Sequence, residues 1–270
     1  MIRDSLGLLE LDSIGYGDIC YTRGYSHFYF IYNETKYYFK RTFSLDTIYN
    51  ELIAEEIAKE FGILCVHYDL ASFRGNVGVI CEDFVKDGKY QRLSDILYND
   101  SYNNLEQIEQ TLKEKYYSDY VVESLMQELI NIYMFDIVIG NSDRHVDNLG
   151  ILENKLGIHF GPVFDNDLML FDNAVYGNYY SIGVGRNDKN YDGHIVNKFI
   201  ETYGEEYRDI LLSKMEIVSP DNMQRIIKRV EKRIGTELND YIKEKILKEM
   251  AFYYEKMKGV LSRDKSYKRV

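Results

Sequence analysis

The sequence has no tryptophan, only three cysteines, no long apolar run and no excess of basic charge. Each shortage narrows what the chain does. Cys20, Cys65 and Cys81 are odd in number, widely spaced and free of any C-x-x-C pair. That argues against a disulfide framework or a zinc site and predicts three small buried hydrophobes. No segment approaches the roughly 18 consecutive apolar residues of a membrane span. The opening Met1-Ile2-Arg3-Asp4 is charged and no apolar secretory stretch follows it, so a soluble, cytoplasmic protein is expected. A net charge of −11 and a pI near 5.0 leave no basic stripe for direct nucleic-acid binding, and none for a membrane surface. No internal repeat or low-complexity segment is present.

What is present is 270 residues of ordinary apolar content with 26 tyrosines. That is enough chain for one large domain or two lobes around a sizeable core. Leu8, Leu9 and Leu11 predict a pairing at a sheet edge. Strand-like runs begin at Cys20 and continue as Phe28–Tyr32 and Lys36–Arg41, an antiparallel meander of about three strands. Residues 47–61 switch to helical period, with Leu52, Ile53, Ile57 and Phe61 on one face and Gly62 as the C-cap. Leu64–Tyr68 and Val77–Cys81 read as further strands around the turn at Arg74-Gly75. Residues 1–81 therefore predict a small lobe of sheet plus one helix.

Residues 82–88 read as a connector, and 89–270 as a mainly helical lobe. Short helices are expected at 93–97 and 101–113. The strongest helix covers about 119–138, apolar around so much of its circumference that burial is required. A hairpin is expected from Leu149–Leu152 and Ile158–Phe160. Residues 171–193 read as a long loop. Ser219-Pro220 predicts the N-cap and first position of a helix, and Leu238–Met257 another. The fold class is α+β.

Two polar loops stand out. The buried helix runs into Ile139-Gly-Asn-Ser-Asp143-Arg-His145-Val-Asp-Asn148, and Phe164-Asp165-Asn166-Asp167 follows the hairpin. Phosphoryl transfer from ATP needs a metal between phosphates, a cation on the phosphates and a carboxylate near the attacking hydroxyl. Asp143 is the candidate carboxylate. Asn148 and Asp165 offer the hard oxygen ligands that suit Mg²⁺. Lys40 ends a strand and would reach the phosphates, held by Glu51 or, as the alternative, Glu55. Gly24-Tyr25-Ser26 is the candidate turn over the phosphates, and His145 would contact phosphate or brace Asp143. Taken singly, each residue has a bland reading as a turn residue or a solvated face. The order of parts carries the weight: strand lysine, helix glutamate, connector, buried helix, aspartate loop, hairpin, aspartate.

These residues resemble the HipA-like serine/threonine kinases, with a more distant likeness to phosphoinositide kinases. Asn141-Ser-Asp143-Arg-His145-Val-Asp-Asn148 resembles that family's catalytic loop, and Pro162-Val-Phe-Asp165 its metal-binding motif. Asn50-Glu51 through Ile63 resembles the helix after its nucleotide lysine. Cys81-Glu82-Asp83-Phe84 resembles its hinge. The resemblance implies a bilobal protein-kinase-like fold and an ATP- and Mg²⁺-dependent enzyme. It implies Asp143 as base, Asn148 and Asp165 on the metal, Lys40 on phosphate, and Glu82, Asp83 and Phe84 at adenine. It implies a Ser/Thr protein acceptor, an antitoxin or regulatory partner, and autophosphorylation, with Ser26 the candidate by position. The chain resembles short members that lack an N-terminal subdomain, and the phosphate loop is poorly matched. Three alternatives remain at this point. They are a lipid or small-molecule kinase of the same fold, a non-catalytic nucleotide-binding module, and a metal-dependent phosphohydrolase built on Asp143, His145, Asp147, Asp165 and Asp167.

Overall fold

The computed structural model describes residues 2–3, 8–15, 19–23, 27–42, 44–86, 88–97, 105–141, 144–167, 169, 180–181, 185–186 and 194–262. The first half of the chain builds a seven-stranded sheet from β1 (Ile2–Arg3), β2 (Leu9–Glu10), β3 (Cys20–Arg23), β4 (His27–Tyr32), β5 (Thr35–Arg41), β6 (Asp69–Phe73) and β7 (Asn76–Glu82). Their order is β1-β2-β6-β7-β5-β4-β3. The expected meander is β3-β4-β5, and the expected edge pairing is β2. That edge pair runs parallel, Leu9 opposite Ala71, so the sheet is mixed where only antiparallel pairing was expected.

Alternation sorts the strand residues by face. Phe28, Phe30, Phe39, Phe73 and Ile80 pack with Leu11 and Ile14 into a small core of their own. Lys36, Tyr38 and Lys40 lie at every second position of β5 and take the other face. Helix α1 (Leu45–Phe61) follows β5. It begins where Ser44 Oγ accepts the Asp46 N–H and ends at Gly62, whose φ of 92° is a left-handed conformation suited to glycine. Its residues Ile48, Leu52, Ile53 and Ile57 are buried in the main core.

The expected strand at 64–68 is not one; the strand lies at 69–73. Leu64 and Val66 instead exchange backbone hydrogen bonds with Val163, and Cys65 bridges to it. That segment is drawn to the Asp165 loop and away from the sheet. Nor are the cysteines uniformly buried: all three are free, Cys20 is exposed on the outermost strand β3, and the other two are half-buried.

The second half is mainly helical: α2 (Leu93–Ile96), α3 (Leu105–Tyr116), α4 (Asp119–Ile139), α5 (His194–Tyr203), α6 (Tyr207–Met215), α7 (Pro220–Ile234) and α8 (Asp240–Leu261). Ser118 caps α4 through the Val121 N–H, and Gly140, at φ 64°, ends it. The hairpin of β9 (Gly150–Asn154) and β10 (Gly157–Phe160) forms as expected. It gains an unexpected third strand, β8 (Gly88–Arg92), alongside β9. Helices α5 and α6 were also not expected, although Val196, Phe199, Ile200 and Tyr203 carry the i, i+3, i+4, i+7 spacing of a buried face. Ser219 precedes Pro220 as expected, but its side chain makes no capping hydrogen bond. Of the 171–193 stretch, only the antiparallel pair β11 (Tyr180–Ser181) and β12 (Gly185–Arg186) is described.

Candidate functional site

Strand β5, the helix α1 that follows it and a loop more than a hundred residues on meet at Lys40. Its Nζ lies 3.1 Å from Glu51 Oε1 and 2.9 Å from Asp167 Oδ2, and it also donates to Asp165 Oδ1. The strand alternation that turns Phe39 into the sheet core turns Lys40 toward α1, where Glu51 is wholly buried. Glu55, one turn on, goes elsewhere: it pairs with Lys59, His67 and Arg233.

Oxygens of Glu51, Asp165 and Asp167 lie within 4.8 Å of one another. With all three acids ionised, one lysine faces three carboxylates, an excess of two negative charges in a half-buried place. Burial pushes the Lys40 ammonium toward losing its proton, but Glu51, Asp165 and Asp167 overcome this and raise its pKa. Burial pushes the Glu51 carboxyl up, to about 7, with Asp165 and Asp167 adding to the push against the pull of Lys40. Burial also works against the Asp165 anion, but Lys40, then Arg144 and His145, hold its pKa below the ordinary carboxylate value. The donor set is all oxygen and its surplus charge equals that of one divalent cation, so it fits Mg²⁺.

The Asp165 loop is held from two sides. Asn166 N–H donates to Glu51 Oε2 at 2.9 Å, and the Asn50 side-chain amide donates to the Asp167 and Met169 carbonyls, both at 2.9 Å. Consecutive residues of α1 thus grip the loop. From the other side comes Arg144, fully buried. Its Nε donates to Asp136 Oδ2 at 3.0 Å, its Nη1 to the Phe164 carbonyl at 2.6 Å and its Nη2 to Asn166 Oδ1 at 2.5 Å. Asp165, between those two residues, has φ of 61°, a left-handed conformation that costs a non-glycine residue about 1–2 kcal/mol.

The loop after α4 closes on itself. A 3-10 turn spans Val146–Asn148. Asn148 is buried and its Oδ1 accepts the His145 N–H at 3.0 Å, while His145 Nδ1 accepts the Asp147 N–H at 3.2 Å. An amide oxygen carries two lone pairs, so Asn148 can brace this turn and also serve a metal. Asp143 lies outside the described residues, as do Gly24, Tyr25 and Ser26.

At the connector, Asp83 N–H donates to the Lys36 carbonyl at 2.8 Å and Asp83 pairs with Lys36 at 3.3 Å. The Glu82 side chain is engaged by Tyr37 and Lys86. The Phe84 ring meets Tyr90 edge-on at 5.0 Å and lies 6.2 Å from Phe164, which joins this segment to the residue before Asp165.

Of the residues expected from sequence, Lys40 touches both Glu51 and Asp165. His145 is among the groups that favour the Asp165 anion. Sequence reading did not assign Arg144, Asp136, Asn50 or Asn166. The signal for the first pair was Asp136, an acid within a helix otherwise apolar on that face, since a buried acid requires a partner. Asp167 was set aside for the hydrolase alternative; it is within reach of Lys40.

The sequence matches the HipA-like C-terminal domain family over residues 33–238. No curated protein matches it. Among solved structures it is similar to the Helicobacter pylori proinflammatory kinase CtkA, at 14% identity and a TM-score of 0.62, covering 94% of this chain and 96% of that one. It is also similar to HipA of Shewanella oneidensis MR-1, solved as a toxin–antitoxin complex with HipB and operator DNA. There the identity is 14% and the TM-score 0.52, covering 90% of this chain and 63% of HipA. At such identities the likeness is one of fold: a sheet lobe and a helical region arranged as in these kinases. Among the described residues, no helix is long and apolar enough to cross a membrane.

Proposed function

The chain belongs to the HipA-like C-terminal domain family, and we propose that it is an ATP- and Mg²⁺-dependent protein kinase acting on serine or threonine. The observation that carries this reading is the meeting of Lys40, Glu51 and Asp165. A lysine from a strand, held by a helix glutamate, contacts the aspartate of a loop more than a hundred residues away. A hydrolase built on the Asp and His residues alone would have no use for that lysine.

In this reading residues 1–81 form the sheet lobe, 82–88 the hinge and 89–270 the helical lobe, with the nucleotide between them. The base lies against backbone groups of Glu82, Asp83 and Phe84. Lys40 meets the phosphates, and Gly24, Tyr25 and Ser26 cover them. Asp165 and Asn148, joined by Asp167, hold Mg²⁺, which when bound neutralises charge on the phosphates. Asp143 orients the acceptor hydroxyl and accepts its proton. The hydroxyl oxygen bonds to the γ-phosphorus as its bond to the β–γ bridging oxygen breaks, and ADP departs with that oxygen. His145 braces Asp143 or contacts phosphate. A regulatory protein partner, as HipB is for the Shewanella HipA, belongs to the same proposal, as does autophosphorylation.

The test is intact mass after incubation with ATP and Mg²⁺, with phosphosite mapping, on wild type, Asp143→Asn and Asp165→Asn. Wild type is expected to add phosphate to itself or to a protein acceptor, and both variants to lose at least a hundredfold of the rate, about the scale of removing one preorganised charged group. Equal phosphate gain in all three proteins, or none in wild type with any acceptor, would sink the reading.

A further inference from the structure

We propose that Arg144 is a positioning residue that sets the direction of the Asp165 carboxylate by gripping the chain on both sides of it. The claim about site function rests on the phosphotransferase reading; the claim about the grip does not.

The guanidinium is anchored and then directed. Asp136 on α4 holds it through Nε and Nη2, and Asp136 is itself buried and steadied by the Asn141 amide at 2.9 Å. The remaining donors go to the Phe164 carbonyl and the Asn166 side chain, the residues immediately before and after Asp165. On the far side Glu51 takes the Asn166 N–H. With both neighbours fixed, the residue between them is kept at its positive φ and its carboxylate stays on Lys40. A rigid planar fork can span these partners at once; a lysine ammonium on a flexible stem cannot. A pair serving only to fill the core would be complete with Asp136. Arg144 also follows Asp143 directly in the chain, so one side chain ties the loop of the proposed base to the loop of the proposed metal ligand. Supporting groups of this kind, when removed, weaken metal affinity about 10- to 100-fold.

Three variants of the full chain test this: a double variant, Asn166→Ala and Arg144→Lys. Arg144→Met/Asp136→Leu removes the grip and leaves no unpaired buried charge. Asn166→Ala keeps the charge pair and removes one contact of the guanidinium, together with the weak Asn166 Nδ2–Cys65 Sγ contact at 3.8 Å. Two quantities are measured in each: the Mg²⁺ concentration for half-maximal ATP binding, and hydrogen exchange of the 164–167 amides without metal or nucleotide. We expect the double variant to need about tenfold more Mg²⁺ or above, with ATP affinity in EDTA unchanged and 164–167 exchange faster by tenfold. Asn166→Ala should move the same way by less. Arg144→Lys should fail to restore either quantity. A folded double variant, or Asn166→Ala if the double variant does not fold, with wild-type Mg²⁺ dependence and wild-type exchange overturns the proposal. If wild type shows no Mg²⁺-dependent ATP binding, the kinase reading fails and the exchange measurement alone decides the role of Arg144.

Discussion

Glu51 and Glu55 are one turn apart on α1, both buried, and their acidities are driven in opposite directions. Burial raises the pKa of each. At Glu51 two further carboxylates add to that push and one lysine opposes it, and the pKa rises to about 7. At Glu55 burial is outweighed by His67, Lys59 and Arg233, and the pKa falls to about 2. The Glu55 carboxylate accepts the Tyr68 N–H at 3.2 Å and meets Arg233 of α7 at 2.9 Å, joining two helices. One region is saturated with cations and reads as a joint. The other is short of them and reads as a place for a cation to enter. Both glutamates were open as partners of Lys40 on sequence grounds; only their surroundings tell them apart.

Four experiments bear on that comparison. The largest effect is expected from Glu51→Gln, which should lower phosphate transfer about a hundredfold or more. Its melting temperature should hold or rise, because the change relieves carboxylate crowding. A thermal melt beside the rate separates the two effects. Next is Glu55→Gln, which should cost about 2 kcal/mol, the scale of a hydrogen bond to a charged group, because Lys59 and Arg233 keep Glu56 as a partner. Its rate per folded molecule should stay at the wild-type value, as read by urea unfolding beside a rate.

Third is the pH dependence of stability in EDTA. Glu51 has a folded pKa above its ordinary 4.5, so it favours the folded state at low pH and that favour is lost as pH rises from about 4.5 through about 7. Glu55 has a folded pKa below 4.5, so its contribution is present above 4.5 and lost as pH falls toward about 2. A tenfold change in acidity between the unfolded and folded chain corresponds to about 1.4 kcal/mol. The Gln variants should each erase one slope, and a variant that erased the other's slope would reverse the assignment. The smallest effect is expected from Asn50→Ala. It removes the side-chain hold on Asp167 and Met169, at about 1 kcal/mol in a denaturant titration.

How far the site was legible depended on the range of each signal. The order strand, Lys40, helix, Glu51 is local, and both residues fell where alternation and helical period placed them. Gly62 and Gly140 end α1 and α4 as turn chemistry dictates. Asp165 stood out because an Asp-Asn-Asp stretch after a hairpin has no place in a core. The grip of Arg144 was not legible, because an arginine in a polar loop reads as solvated until its partner on α4 is known. Arg233 and Glu55 are 178 residues apart, and nothing in either segment names the other. The strand at 64–68 failed for a related reason: its apolar pattern was right, but its hydrogen bonds go to Val163. β8 was hidden in charged and polar residues just past the connector, and its strand partner, β9, lies about sixty residues on. Asp143 and the Gly24–Ser26 turn lie outside the described residues, so their placement is still carried by sequence.

The most direct measurement is the Mg²⁺-dependent rate of phosphate incorporation per folded molecule in Glu51→Gln set against Glu55→Gln. A loss of about a hundredfold in the first and none in the second is the predicted result. Equal rates in the two variants would contradict the assignment of one turn of α1 to chemistry and the next to architecture.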